Sequence, residues 1–338
     1  MAAPTIYDIA REAGVSVATV SRVLNTPGRV APATREKVLR VIELRGFVPK
    51  ADAVSRARRG VGRIGVLGPF SSHEAARRRL SGMLRAAAPD LEVAVYDQES
   101  AAVSPDPLLA TLPVTGHLDG LIVVSQPLEP ATAARLRERG APTLLLDTEA
   151  GHLPSVVVDD EAGGRLVASH LAELGHRRLG FLGEAQRASG RESPSSRRLA
   201  GFRAGLVKYG LRLRPTAVRE ASPRGRQAIA EAILLLRSAN RPTAVFAADD
   251  LLAVAVMRAA AGLGLRVPDD LSVVGYDDGD LAETIGLTTV RQPLEASGEL
   301  VVRLLRDAMA GNSDAGRVEL RLRLIVRSTT GPAPTSPS

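Results

Sequence analysis

Between Gly14 and Asn25 the chain reads GVSVATVSRVLN. At about 100° per residue, Val17, Ala18, Ser21, Arg22 and Asn25 share one arc of a helix, and Thr19, Val20, Val23 and Leu24 share the opposite arc. The first arc has the chemistry of a base-reading surface. Small side chains at a helix start let the backbone approach a groove floor, Val17 and Ala18 can touch thymine methyls, and Arg22 can fork onto O6 and N7 of guanine. Ser21, Asn25, Thr5, Tyr7 and Thr34 suit phosphate contacts, which position a protein without reading sequence. Ser16 and Arg29, close to the two ends of that helix, belong to the same candidate DNA-binding set.

The remainder of the chain holds carboxylates in adjacent pairs, Asp249 with Asp250 and Asp277 with Asp278, which metal-assisted hydrolysis could use. The groups that such chemistry needs beside them do not occur in the sequence pattern. There is no Cys, the 5 His show no metal-ligand spacing, and neither a GxSxG nucleophile elbow nor a GxxxxGK phosphate loop is present. The expectation is a non-enzyme with no metal and no cofactor. Structural roles for the same residues stay open: Asp249 and Asp250 suit a helix cap, Asp277 and Asp278 a strand-closing turn, and Arg198 a surface cation.

A base-reading arc needs a rigid frame, and residues 5 to 48 carry the signals of one. Thr5 with Asp8 three residues on is a capping-box-like start, Ile6, Ile9, Ala10 and Ala13 give an apolar side, and Gly14 supplies a left-handed stop. Ser16 caps the second helix at once. Only the turn GVS separates the two, so they must cross sharply, which is the helix-turn-helix arrangement. A third helix, from Pro32 through Val38, Val41, Ile42 and Leu44 to Gly46, can cover the inward face of the second, with Phe47 and Val48 closing the core. Residues 1 to 60 contain eleven Lys and Arg against five Asp and Glu, so they carry six of the chain's seven formal positive charges. That concentration is the footprint of a polyanion binder, with a merely solvated basic segment as the alternative.

The length of 338 residues suggests two or three domains. From Arg63 onward, apolar runs such as RIGVLGP, GLIVVS, PTLLLD, RLGFLGE, TAVFAADD and LSVVGYDD alternate with helical stretches, among them about 161–174, 195–209, 225–237 and 250–262. Apolar strands between helices imply parallel sheets covered on both faces. Two such units in series make a bilobed body whose ligand cleft lies at the strands' carboxyl ends. The start lacks a basic segment followed by an apolar one, and no apolar run reaches the roughly 18 residues of a membrane span. A cytoplasmic protein without a membrane partner is expected.

TIYDIAREAGVSVATVSRVLN followed by TREKVLRVIELRGFVP resembles the headpiece of the LacI/GalR family of bacterial transcriptional regulators. The resemblance continues through VDDEAGGRLVASHLAELGHRRLGFLG, TAVFAADDLLAVAVMRAA and VPDDLSVVGYDD, similar to the family's regulatory core, a fold related to periplasmic sugar-binding proteins. It implies that Val17, Ala18 and Arg22 contact bases in the major groove. It also implies a hinge at PKADAVSRARRG, where the family usually places a minor-groove leucine. That position is Arg56 here, an arginine suited to a narrow minor groove, and Ala53 and Val54 are candidates for apolar contact. Ala31 stands where the family usually has a serine cap. In the core, the resemblance places effector contacts at Arg198, Asp249 and Asp277, with Asp249 in place of a usual asparagine. A carboxylate accepting hydroxyl hydrogens beside a guanidinium fork suits a polyol. Ser71, Ser72 and His73 follow the first strand where the family often meets its effector, and Phe70, Phe181, Phe246 or Tyr276 would have to supply any stacking ring.

The expected architecture is therefore a small all-α helix-turn-helix headpiece at 1–48, a hinge at 49–61 and an α/β bilobed periplasmic-binding-protein-like core at 62–330. The core would hold two doubly wound parallel-sheet subdomains, about 62–160 plus 291–320 and about 161–290 plus 321–330, before a disordered tail at 331–338. The expected function is a ligand-responsive, sequence-specific DNA-binding transcriptional regulator, a repressor. It would bind a palindromic operator in double-stranded DNA as a homodimer, with a small-molecule effector, a sugar or related metabolite, in the cleft. The alternative is a binding protein of the periplasmic receptor type, which would carry no basic headpiece.

Overall fold

The computed structural model describes residues 4–25, 30–45, 47, 62–97, 118–126, 128–138, 142–185, 193–222, 226–312 and 316–334. Arg29, Ala53, Val54 and Arg56, expected at the DNA, lie outside the described residues.

Helices α1 (Ile6–Ala13), α2 (Val17–Asn25) and α3 (Pro32–Arg45) form the amino-terminal unit. Its core is Ile9, Ala13, Val20, Val23, Val38 and Ile42, with Phe47 closing it. The capping box at Thr5 is complete, because its hydroxyl accepts from the Asp8 amide while the Asp8 carboxylate accepts from the Thr5 amide at 2.9 Å. Gly14 ends α1 at φ 61°, ψ 40°, a left-handed conformation that glycine adopts without a Cβ penalty. Ser16 then accepts from the Thr19 amide at 3.1 Å and starts α2.

The body has two lobes, each a six-stranded doubly wound sheet. The first lobe orders its strands β11-β5-β4-β3-β1-β2, all parallel. In chain order these are β1 (Gly62–Gly68), β2 (Leu91–Asp97), β3 (Gly120–Val124), β4 (Thr143–Leu146), β5 (Ser155–Val158) and β11 (Arg317–Leu320). Helices α4 (Glu74–Ala87), α5 (Pro130–Glu138) and α11 (Leu294–Met309) cover it. The second lobe runs β12-β10-β9-β8-β6-β7, with β12 antiparallel at one edge. Its strands are β6 (Leu179–Glu184), β7 (Val218–Ala221), β8 (Ala244–Ala247), β9 (Ser272–Asp277), β10 (Thr288–Arg291) and β12 (Arg323–Ile325). Helices α6 (Asp160–Glu173), α7 (Pro194–Val207), α8 (Arg226–Leu236), α9 (Asp250–Gly262) and α10 (Asp280–Thr284) complete it.

The chain passes between the lobes three times, after β5, after β10 and after β11. Strands buried on both faces explain the apolar runs: β3 and β4 are buried at every position. The carboxyl ends of β1, β3 and β4 and those of β6, β8 and β9 are the two walls of the interlobe cleft, linked by the side-chain contacts described below. One expectation needs correction. Part of the presumed disordered tail is fixed, since the Ala333 amide donates to Leu174 O at 2.8 Å and Gly331 O accepts from the Ser272 hydroxyl at 3.3 Å. A proline-rich composition removes amide donors, but the backbone groups of Gly331 and Ala333 still find partners.

Candidate functional site

On α2 the predicted division of faces holds in its main features. Val20 and Val23 are fully buried, while Ala18 and Arg22 are exposed and Ser21 is half-buried. Val17, another of the outward residues, is half-buried against the amino-terminal core. Asn25 ends α2. Tyr7 is 71% exposed on α1, and Thr34 is half-buried in the first turn of α3. Thr5 and Ser16 both serve as caps, so their hydroxyls are engaged locally. An ion pair between Arg45 and Glu12 at 2.6 Å ties α3 to α1.

In the body, Arg198 is not a surface cation. It projects from α7 and is buried. Nε donates to Asp160 at 2.8 Å, Nη1 donates to Ala248 O at 2.6 Å, and its guanidinium carbon lies 3.8 Å from the Tyr276 ring centroid. Its Nη2 is 3.9 Å from Asp277, and although burial opposes its charge, Asp160 and Asp277 hold it protonated. Asp277 and Asp278 end β9 with φ of 109° and 54°, so the strand-closing turn and the charged site are one feature. Both carboxylates are buried. Asp277 accepts from Gln292 Nε2 at 2.6 Å, and burial raises its pKa against the pull of Arg198. Asp278 pairs with Arg327 at 2.7 Å.

Of the adjacent aspartates, Asp249 is the cap of α9, accepting from the Leu252 amide at 2.7 Å. Asp250 is the first helical residue instead, and accepts from the Thr289 hydroxyl at 2.7 Å and the Gly279 amide at 2.9 Å. Burial pushes Asp249 up to about 6 and Asp250 up to about 7, with the charge of Asp277 adding to both.

The opposite wall contains residues that the sequence reading did not single out. Arg79 of α4 is buried beneath the cleft, donating to Asp147 at 2.9 Å and to Gln292 Oε1 at 3.1 Å. Ser125 donates to the same Asp147 oxygen at 2.8 Å. Burial would raise Asp147, but the charges of Arg79, Arg197 and Arg198 and the Ser125 hydrogen bond together outweigh it, and the carboxyl sits below its ordinary range. A chain of contacts therefore runs Asp147, Arg79, Gln292, Asp277 from lobe to lobe. At its side, His73 Nε2 lies 3.1 Å from Glu184 at the end of β6, a second side-chain link across the cleft. Burial disfavours the charged imidazole, yet the hydrogen bond and charge of Glu184, with Asp249 and Asp277, raise its pKa above 6.5. Ser71 is exposed and its amide donates to Asp97 at 2.8 Å. Phe70 is packed into the first lobe's core, and Phe181, Phe246 and Tyr276 into the second's, so every candidate ring is buried, with Arg198 lying over that of Tyr276.

Adjacent carboxylates, guanidiniums and amide dipoles at strand ends can orient a polar small molecule through fixed donors and acceptors. Among the described residues, no three His, Asp or Glu converge as a metal site would require. No helix among them is long and apolar enough to cross a membrane.

Comparison with known proteins agrees with this anatomy. Residues 5–50 match the model for bacterial regulatory proteins of the lacI family, and residues 168–330 match that for a periplasmic binding protein-like domain. The HTH-type transcriptional regulator DegA of Bacillus subtilis (strain 168) is 31% identical, with 98% of this chain and 99% of DegA aligned. Among solved structures, the lac repressor dimer bound to operator and the anti-inducer ONPF superposes with a TM-score of 0.69 at 28% identity, covering 98% of this chain and 100% of that one. The transcriptional regulator CelR–cellobiose complex gives 0.68 at 29% identity, covering 96% and 99%. A capped three-helix unit joined to two parallel-sheet lobes, matched end to end by such regulators, places this chain in the LacI family of bacterial transcriptional regulators.

Proposed function

We propose that the protein is a repressor in the cytoplasm, a homodimer whose two α2 helices read a palindromic operator, and whose affinity for DNA is set by a small polar effector in the interlobe cleft. The headpiece ends near residue 48, a hinge of 49–61 follows, and the core begins at 62. The observation that carries this reading is the α1–α2 crossing. The turn through Gly14 to Ser16 buries Val20 and Val23 and leaves Ala18 and Arg22 exposed together on one helix, within the most basic part of the chain. Arg22 would read guanine, Val17 and Ala18 thymine, and Tyr7, Ser21 and Thr34 would meet phosphates, with Arg56 and Ala53 at the hinge. Arg198, Asp249 and Asp277 would hold the effector. The lac repressor relative was solved on its operator and the CelR relative with cellobiose, which supports both halves of the reading.

Because an effector shifts an equilibrium only through differential affinity, it must favour one placement of the lobes over another and so move the two hinges. Selection of duplexes from a random library by the full-length protein tests the DNA half. Enrichment of an inverted repeat is expected; a pool that keeps no inverted repeat after repeated selection overturns the reading.

A further inference from the structure

The charges that meet in the cleft do not balance. Arg198 and Arg197 are both committed to Asp160, at 2.8 Å each, and Arg79 is committed to Asp147. Among the described residues, Glu184 pairs with the His73 imidazole at 3.1 Å. The Asp249 carboxylate is hydrogen-bonded, among the described residues, by the Leu252 amide alone, and the attraction of Arg198 is outweighed by burial together with the charge of Asp277. Asp249, Glu184 and Asp277 stand close enough for the charges of Glu184 and Asp277 to disfavour ionisation of Asp249. A second, separate observation lies on the opposite wall. Asp147 is buried, its side chain 4% exposed, and among the described residues its Oδ1 accepts no hydrogen bond, although Arg197 and Arg198 of the other lobe are close enough for their charge to act on it. A buried acceptor without a donor is costly unless something supplies one.

We propose that the effector of this protein carries a protonated amine, an amino sugar or a similar small polyhydroxylated amine, whose ammonium lies against Asp249 and Glu184 and whose hydroxyls reach Asp277 and Asp147. This rests on the reading of the cleft as an effector site. A metal ion is a poor alternative occupant, since no three acidic or imidazole groups converge among the described residues. A neutral sugar would satisfy hydroxyl acceptors but leave the carboxylate of Asp249 uncompensated in a half-buried position. An ammonium donates three hydrogen bonds and accepts none, which matches a wall of acceptors. It would also compete with His73 for Glu184, freeing the imidazole that joins the lobes without ligand.

Isothermal titration of the full-length protein against matched pairs tests this: glucose with glucosamine, galactose with galactosamine, mannose with mannosamine. At least one amine is expected to bind ten-fold or more tightly than its neutral partner at pH 7.5. Asp249→Asn, which keeps a good helix cap, is expected to reduce that preference to under about three-fold, and Glu184→Gln to weaken it further. The proposal is overturned if the neutral member of every pair binds as well, if the preference survives both substitutions, or if no member binds. Arg198→Ala separates the two levels. If it abolishes binding of a neutral sugar that shows no amine preference, the cleft reading stands and the amine falls; if bound ligand is indifferent to Arg198→Ala, the cleft reading itself falls.

Discussion

On the proposed reading, sequence discrimination by α2 turns on Arg22. It is exposed on a helix whose back is locked by Val20 and Val23, so its guanidinium can fork onto a guanine without moving the frame. Arg22→Ala is expected to lose about 1–3 kcal/mol of discrimination, roughly 5- to 150-fold in the ratio of operator to scrambled-duplex affinity. Non-specific binding would persist with its steep salt dependence. Competition titrations at two salt concentrations check this, and an unaltered ratio would remove Arg22 from the reading set. In the core, Asp250 predicts a pH effect on stability. Its carboxyl, raised to about 7 by burial, keeps a proton in the folded protein that the unfolded chain releases near pH 4. Stability is therefore greatest at the acid side and falls as pH climbs from about 4 to about 7, by up to about 1.4 kcal/mol per pH unit, with Asp249 contributing in the lower part of that window. Thermal unfolding between pH 5.5 and 7.5 measures the slope. Asp250→Asn is expected to flatten it; an identical slope would place its origin elsewhere. Arg198 and Asp277 were legible in the sequence because they stand in short motifs. Arg79, Asp147 and Gln292 were not, because Arg79 sits in the run Arg77–Arg79, where three adjacent cations on a helix look equally solvated. Only the packing of α4 on α11 reveals which of the three turns inward.

Two helix pairs fix the two walls of the cleft, and glycines set both crossings. In the second lobe a Cβ on Gly201 would lie 2.0 Å from Glu161 O, and one on Gly164 would lie 2.2 Å from Arg198 O, so α6 and α7 touch backbone to backbone. That contact holds Arg198 within reach of Asp160. The first lobe repeats the device: a Cβ on Gly298 would be 2.0 Å from Arg79 O, and one on Gly82 2.0 Å from Glu295 O. Gly201→Ala must push the helices apart, because the obstacle is backbone. It is expected to cost about 1–3 kcal/mol, read as a lower denaturant midpoint, and to weaken effector binding together with stability. Gly262→Ala is the control, since its Cβ would meet open space at the end of α9. Equal midpoints for the two variants would show that the crossing has slack. Periodicity locates α6 and α9 well: the stretch expected at about 161–174 is Asp160–Glu173, and that at 250–262 is Asp250–Gly262. Helical spacing of apolar residues and capping carboxylates suffice for that. The closeness of the crossings was invisible, because a glycine inside a helical pattern reads locally only as a weak helix former.

At the scale of the whole molecule, three chain crossings join the lobes, and among the described residues side chains bridge the space between them at three places. Arg78 of α4 pairs with Glu295 at 2.6 Å and donates to the carbonyls of Asp278 and Asp277 at 3.0 and 3.3 Å. Arg79 reaches Asp277 through Gln292, and His73 meets Glu184. The first two contacts lie beside or run through the segment after β10 and belong to the scaffold. The His73 contact has no chain crossing beside it, and it is the one whose charge changes near neutral pH. Glu184, Asp249 and Asp277 supply its surrounding negative charge, and the Ser72 hydroxyl lies 2.9 Å from its Nδ1. Its pKa is raised above 6.5, so the attraction is complete below that value and fades as pH rises through the shifted one. An interaction of about 1 kcal/mol between partly exposed groups changes an open-to-closed ratio about five-fold. Small-angle scattering of the ligand-free protein is therefore expected to show a larger radius of gyration at pH 8.5 than at pH 6.5. His73→Ala should give the larger value at both, and Glu184→Gln should do the same. Since closing without ligand competes with closing caused by ligand, the same variants are expected to widen the change in operator affinity that effector produces. A radius independent of pH in the native sequence, together with an operator response untouched by His73→Ala, would assign lobe closure to Arg78 and Gln292 alone.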